Sequence, residues 1–86
     1  MSLGNVRVTV VYLAQAREFA GTKEDKFVLQ SPVDLEHLFY EVVDAHPKLQ
    51  EIREIIHTLV NGRMALGNLQ LKDGDRVVLL PPVGGG

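Results

Sequence analysis

One stretch of this chain repeats its apolar residues at helical spacing, and that stretch limits every fold the rest can adopt. Leu35, Leu38, Phe39, Val42 and Val43 follow the i, i+3, i+4, i+7, i+8 pattern of a single apolar stripe. The stripe predicts a helix over about Leu35 to Ala45. Asp34 stands where an N-cap belongs, Val33 and Leu38 are spaced for a hydrophobic staple across it, and Pro47 ends the run.

The other ordered stretches read as short strands. Val6 to Leu13 is rich in β-branched residues; Val6, Val8 and Val10 point one way, and Arg7, Thr9, Val11 and Leu13 the other. Ala14 to Ala20 reads as a loop with a short helical turn, ended by Gly21. Lys26-Phe27-Val28-Leu29 reads as a second strand, forming a hairpin with the first through a long connection. Lys48 to Ile56 predicts a shorter helix with Leu49, Ile52 and Ile55 on one face. Thr58-Leu59-Val60 is a brief strand turned at Asn61-Gly62, and Asp73-Gly74-Asp75 is a turn leading into the final strand, Arg76 to Leu80. Met1 to Gly4 carries no pattern. One helix can cover only one face of one sheet, so the expectation is an α+β fold, a small mixed sheet packed on one main helix, in a single domain over residues 1–86.

Composition removes several function classes. The chain carries nine basic and eleven acidic residues spread along its length, for a net charge of −2. That gives no basic patch and argues against a nucleic-acid partner. No apolar run approaches the ~18 residues that span a bilayer, so neither a membrane partner nor a span is expected, and the cytoplasm is the default location. The absence of cysteine excludes a disulfide scaffold, a zinc–thiolate site and a thiol nucleophile.

The C-terminus is the most unusual stretch. The final strand stops at Pro81-Pro82, because proline cannot donate to a sheet ladder and fixes φ. Val83, Gly84, Gly85 and Gly86 follow. Six residues at ~3.3 Å each make a flexible tail, 81–86, reaching about 20 Å from the body. Its glycines, having no Cβ, can pass through a channel too narrow for other residues. Such a tail suits delivery of the Gly86 carboxylate into another protein's active site; an inert end remains the alternative.

Strand parity adds a surface. Arg76 belongs outside, so Val78 and Leu80 share its face while Val77 and Leu79 face the helix. If the first and last strands are neighbours, Val11, Leu13, Val78 and Leu80 form an exposed apolar patch where the tail departs, which marks a partner surface. The alternative is strands buried on both sides.

No catalytic constellation appears in the body. His37, His46 and His57 lack metal-ligand spacing and read as surface or capping residues, and no metal site is expected. Ser31 and Thr22 have no acid–base company. Asp73-Gly74-Asp75 lacks the other ligands of a calcium loop. Arg17-Glu18 reads as a solvated pair.

Taken together, Leu13-Ala14-Gln15-Ala16-Arg17-Glu18, Val60-Asn61-Gly62, Leu71 to Val77 and Leu80-Pro81-Pro82-Val83-Gly84-Gly85-Gly86 resemble the ubiquitin-like sulfur-carrier family, in its molybdopterin synthase small-subunit branch. The resemblance runs from about Val6 to Gly86. It implies the β-grasp fold. It also implies that an E1-like enzyme adenylates Gly86 with ATP and that a sulfurtransferase supplies sulfur to make a C-terminal thiocarboxylate. That group would then enter the synthase large subunit, in a heterotetramer, and give sulfur to a pterin precursor of the molybdenum or tungsten cofactor. The resemblance further implies a small subunit that binds no cofactor of its own and has no active site of its own. The family's apolar interface falls on Leu13, Met64 and Leu80, with Arg17 its arginine; Leu80 stands where family members carry an aromatic. Two relatives of the same fold and tail are alternatives: a ubiquitin-like modifier joined through Gly86 to lysines, and the thiazole-pathway sulfur carrier.

Overall fold

The chain alternates short strands with one long helix, and a computed structural model describes residues 4–82 of it. Strand β1 (Asn5–Tyr12) is followed by a short helix α1 (Gln15–Ala20), strand β2 (Glu24–Gln30), a two-residue strand β3 (Val33–Asp34) and the main helix α2 (Leu35–Ala45). A 3-10 segment (Pro47–Ile55) leads to β4 (His57–Val60), β5 (Arg63–Met64), β6 (Gln70–Leu71) and β7 (Arg76–Leu80).

The main sheet has the order β2-β1-β7-β4-β5. β1 and β7 lie parallel at its centre, and the other pairs are antiparallel. A parallel pair needs a long crossover between its strands; here that crossover contains α2, which lies against one face. Val6, Val8, Val10 and Tyr12 of β1 and Val77 and Leu79 of β7 are buried on that face, with Leu35, Leu38 and Val42 of α2 and Leu49 and Ile52 of the 3-10 segment over them. The β-grasp expectation holds. One sheet was foreseen; a second, two-stranded one pairs β3 with β6. Two residues per strand is too short for any alternation to register.

Helix α2 begins and ends where the stripe placed it. Asp34 Oδ1 accepts from the His37 N–H at 2.9 Å, and the Asn68 amide donates to Asp34 Oδ2 at 3.1 Å. The main-chain N–H first, then Asn68, hold the Asp34 carboxyl below the usual carboxylate range. The second helical stretch differs from expectation: it is 3-10, and Ile55 is 49% exposed while the neighbouring Ile56 packs against the core. Three residues per turn would keep Leu49, Ile52 and Ile55 on one face, but only Leu49 and Ile52 are buried, and Ile55 is the last residue of the segment.

Two turns need left-handed backbone. Asn61 (φ 52°) and Gly62 (φ 84°) form the two-residue connection of the β4–β5 hairpin, whose primed geometry matches the strand twist. Asn61 also ties this turn to the one before β7: its amide donates to Asp75 Oδ1 at 2.8 Å, and its Oδ1 accepts from the Arg76 N–H at 2.9 Å. Asp75, read from the sequence only as a turn residue, is a buried carboxylate that also accepts from the Lys72 N–H at 2.8 Å. No described helix is long and apolar enough to cross a membrane.

Candidate docking face and C-terminal exit

The sheet has a second face that no described helix covers, and the register assembles its residues row by row. Val11 pairs with Val78, Val78 with Leu59, and Leu59 with Met64. One continuous apolar row therefore crosses β1, β7, β4 and β5. Leu80 pairs with His57 one step nearer the exit, and the Leu13 N–H donates to the Leu79 carbonyl at 3.1 Å, which carries Leu13 alongside. Val11, Leu13, Val78 and Leu80 are brought together as strand parity required.

Burial refines this patch. Val11, Leu13, Leu59, Val78 and Leu80 are half-buried, not exposed, because side chains on adjacent strands lie close enough to shield one another. Met64, on the edge strand, is 54% exposed. Leu59 was missed as a surface residue. Thr58-Leu59-Val60 is too short a run for its alternation to be read; pairing with Val78 decides the face of Leu59.

The rim is formed by the corner after β1. Leu13-Ala14-Gln15-Ala16 is a tight turn closed by the Ala16 N–H donating to the Leu13 carbonyl at 3.0 Å. Ala14 sits at φ 51°, ψ −129°, the first central position of a type II′ turn, which favours glycine. An L-residue there costs on the order of 1 kcal/mol. Arg17 is exposed, and its Nε donates to the Tyr12 carbonyl at 3.3 Å, so the reading of Arg17-Glu18 as a merely solvated pair is incomplete.

The chain leaves the sheet beside this face. Pro81 is fully buried and Pro82 exposed. A tail starting at Pro81 is thus corrected: the Pro81 ring is packed into the body, and the described chain first emerges at Pro82. Val83, Gly84, Gly85 and Gly86 lie outside the described residues.

Beneath the covered face, Tyr12 OH donates to Asp25 Oδ2 at 2.9 Å, and His46 Nε2 meets the same oxygen. The His46 and Tyr12 rings meet edge-on, with centroids 5.5 Å apart. Burial, then the Asp25 hydrogen bond and charge, push the Tyr12 hydroxyl well above the usual phenol value. His46, expected at the surface or as a cap, both caps α2 and joins this cluster. Twenty-one residues separate it from Asp25, so no local spacing signals the contact. Among the described residues no group of three His, Cys, Asp or Glu side chains is placed to hold a metal. Two shallow hollows lie at the opposite end of β1, around Asn5 and Asp34.

Residues 10–86 match the model of the ThiS family. The molybdopterin synthase sulfur carrier subunit of Chlamydomonas reinhardtii is 32% identical, over 94% of this chain and all of that protein. Among solved structures, a putative molybdopterin converting factor subunit 1 from Pyrococcus furiosus superposes with a TM-score of 0.82 at 32% identity, over 91% of this chain and 99% of that one. SAMP1 from Haloferax volcanii gives 0.84 at 25% identity, over 93% and 99%. A chain in the complex of subunits 1 and 2 of the Helicobacter pylori molybdopterin-converting factor gives 0.65 at 29%, over 94% and 100%.

Proposed function

Because this chain belongs to the ThiS family, we propose that it is the sulfur-carrying small subunit of a molybdopterin synthase. One observation carries the reading: a continuous uncovered apolar row, Val11–Val78–Leu59–Met64 with Leu13 and Leu80, lies beside the strand end from which the C-terminus departs. The body is a docking plate, and Gly86 is the working group.

The cycle needs no side-chain nucleophile here. An adenylating enzyme joins the Gly86 carboxylate to the α-phosphorus of ATP, releasing pyrophosphate. Hydrosulfide supplied by a sulfur donor attacks the acyl carbon and expels AMP; loss of the proton leaves a thiocarboxylate. Docked on the large subunit through Val11, Leu13, Arg17, Met64, Val78 and Leu80, the chain presents that sulfur to the pterin precursor; once the acyl–sulfur bond is cleaved by water, the carboxylate returns. Positioning is this chain's whole contribution. The cytoplasm is the site of this work. The named complex of subunits 1 and 2 supports a large-subunit partner.

Reconstitution with the large subunit, the adenylating enzyme and a sulfur donor tests the proposal. Intact mass should rise by one sulfur replacing one oxygen at the C-terminus, and deletion of Gly85-Gly86 should abolish pterin sulfuration without moving the melting temperature. A truncated chain that still supports sulfuration refutes it. The likeness to SAMP1 favours a second reading, a protein modifier joined through Gly86; lysine adducts in cells, in place of thiocarboxylate, would select it.

A further inference from the structure

The uncovered face changes character one row below its apolar band. Thr9 pairs with Lys26 on one side and with Arg76 on the other. Parity puts all three outward, two residues along β1 from Val11, and Arg7 lies two residues further down the same strand. Arg7, Lys26 and Arg76 are exposed. Among the described residues none of them forms a salt bridge; the ion pair found joins His46 to Asp25 on the other face. Of the outward positions on the five strands, Glu24, opposite Val11, is the one acid. Asp73, in the turn before β7, has its Oδ1 engaged by the Arg7 main-chain N–H.

The covering side has the opposite sign. Helix α2 and the 3-10 segment carry Glu36, Glu41, Asp44, Glu51 and Glu54 against Lys48 and Arg53. In a chain of net charge −2, the uncovered face is therefore locally cationic. The strand rise puts the cation row only about 7 Å from the apolar row, so a protein seated on one overhangs the other. Covering unpaired cations with a neutral or basic surface strips their water without return, which is costly. A carboxylate opposite each restores the interaction, and Arg76 can take one in two-pronged fashion.

We propose that Lys26, Arg76 and Arg7 form an electrostatic border of the docking face that receives an acidic rim on the large subunit; this rests on the reading of the apolar row as the docking face. Lys26 and Arg76 flank Thr9 at about 10 Å, two interstrand spacings, so the rim must offer carboxylates at comparable separation. The border steers encounter and fixes orientation, and the apolar row supplies the holding contact.

The experiment measures association and dissociation rates of the full chain with the large subunit at low and high salt. Native association should slow at least tenfold between ~0.01 M and ~1 M salt, as charges beyond the screening length decouple. Lys26→Glu/Arg76→Glu should associate at least tenfold more slowly at low salt and lose that salt dependence, and should melt normally. If the double reversal does not fold, Lys26→Gln/Arg76→Gln should show a smaller slowing of the same sign. Rates within twofold of native in either variant, or native rates indifferent to salt, overturn the border. Leu80→Asp separates the two levels: loss of binding in Leu80→Asp with native rates in the charge variants removes the border alone, and native binding in Leu80→Asp removes the docking face with it.

Discussion

Leu79 and Leu80 are adjacent in sequence and identical in kind, yet they stand on opposite faces of one strand and do different work. Leu79 is 1% exposed beneath the helical layer; Leu80 is half-buried on the uncovered side. The same contrast repeats between Val10 and Val11 and between Val77 and Val78. The sheet is one set of strands with two chemistries. Its inner face spends apolar area on folding, and its outer face leaves apolar area only half-buried. The one main helix covers one face only, and among the described residues no helix covers the second.

The sharpest break of that contrast is Leu79→Ala against Leu80→Ala. Leu79→Ala should cost 2–5 kcal/mol by emptying packed volume. At ~4–8 °C per kcal/mol in a domain of this size, the melting temperature should fall by about eight degrees or more. Leu80→Ala should cost under ~1 kcal/mol. Equal losses in thermal melts would show that the faces do not differ.

Next comes Tyr12, whose hydroxyl is confined to the inner side. Its folded-state pKa is raised, so its contribution is complete below the unfolded value of about 10 and is lost as pH rises above it. Each pH unit above 10 should remove up to ~1.4 kcal/mol from the native chain. Tyr12→Phe should flatten that alkaline slope relative to the native protein, as followed by denaturant midpoints from pH 9 upward, taken as about one unit either side of 10. An unchanged slope would place the hydroxyl in water.

Asn61 joins the turns at the ends of β4 and β7, and so holds the strands that carry Leu59 and Val78 in register. Asn61→Ala should lower stability by about 1–2 kcal/mol, since Asp75 then loses a donor in a buried position. The smallest effect belongs to the rim. Ala14→Gly relieves the left-handed strain but adds unfolded-state entropy, and should raise stability by only a few tenths of a kcal/mol. A clear loss in its melting curve would mean that the Ala14 methyl packs.

Much of this was legible in the residues. The α2 stripe, its Asp34 cap, the Asn61-Gly62 turn and the alternation of β1 and β7 are patterns of two to nine residues, and each was placed correctly. So was the outward group Val11, Leu13, Val78 and Leu80. What failed to register was short or distant: β3 and β6 are two residues long, Leu59 sits in an unpatterned run, and the Tyr12–Asp25–His46 cluster joins residues far apart in the chain.

The amino-acid order by itself settled the periods, the caps, the turn residues and the proline stop, because those depend on sterics and hydrogen bonds within one or two turns of backbone. Only the folded chain decided that β1 lies parallel to β7, which sets Val11 beside Val78 and, together with the β1–β2 register, Lys26 across Thr9 from Arg76. It also decided that Pro81 is held inside the body while Pro82 is not. Strand partnership is a choice among distant segments, settled by the burial of the whole inner face at once, and no local pattern encodes it.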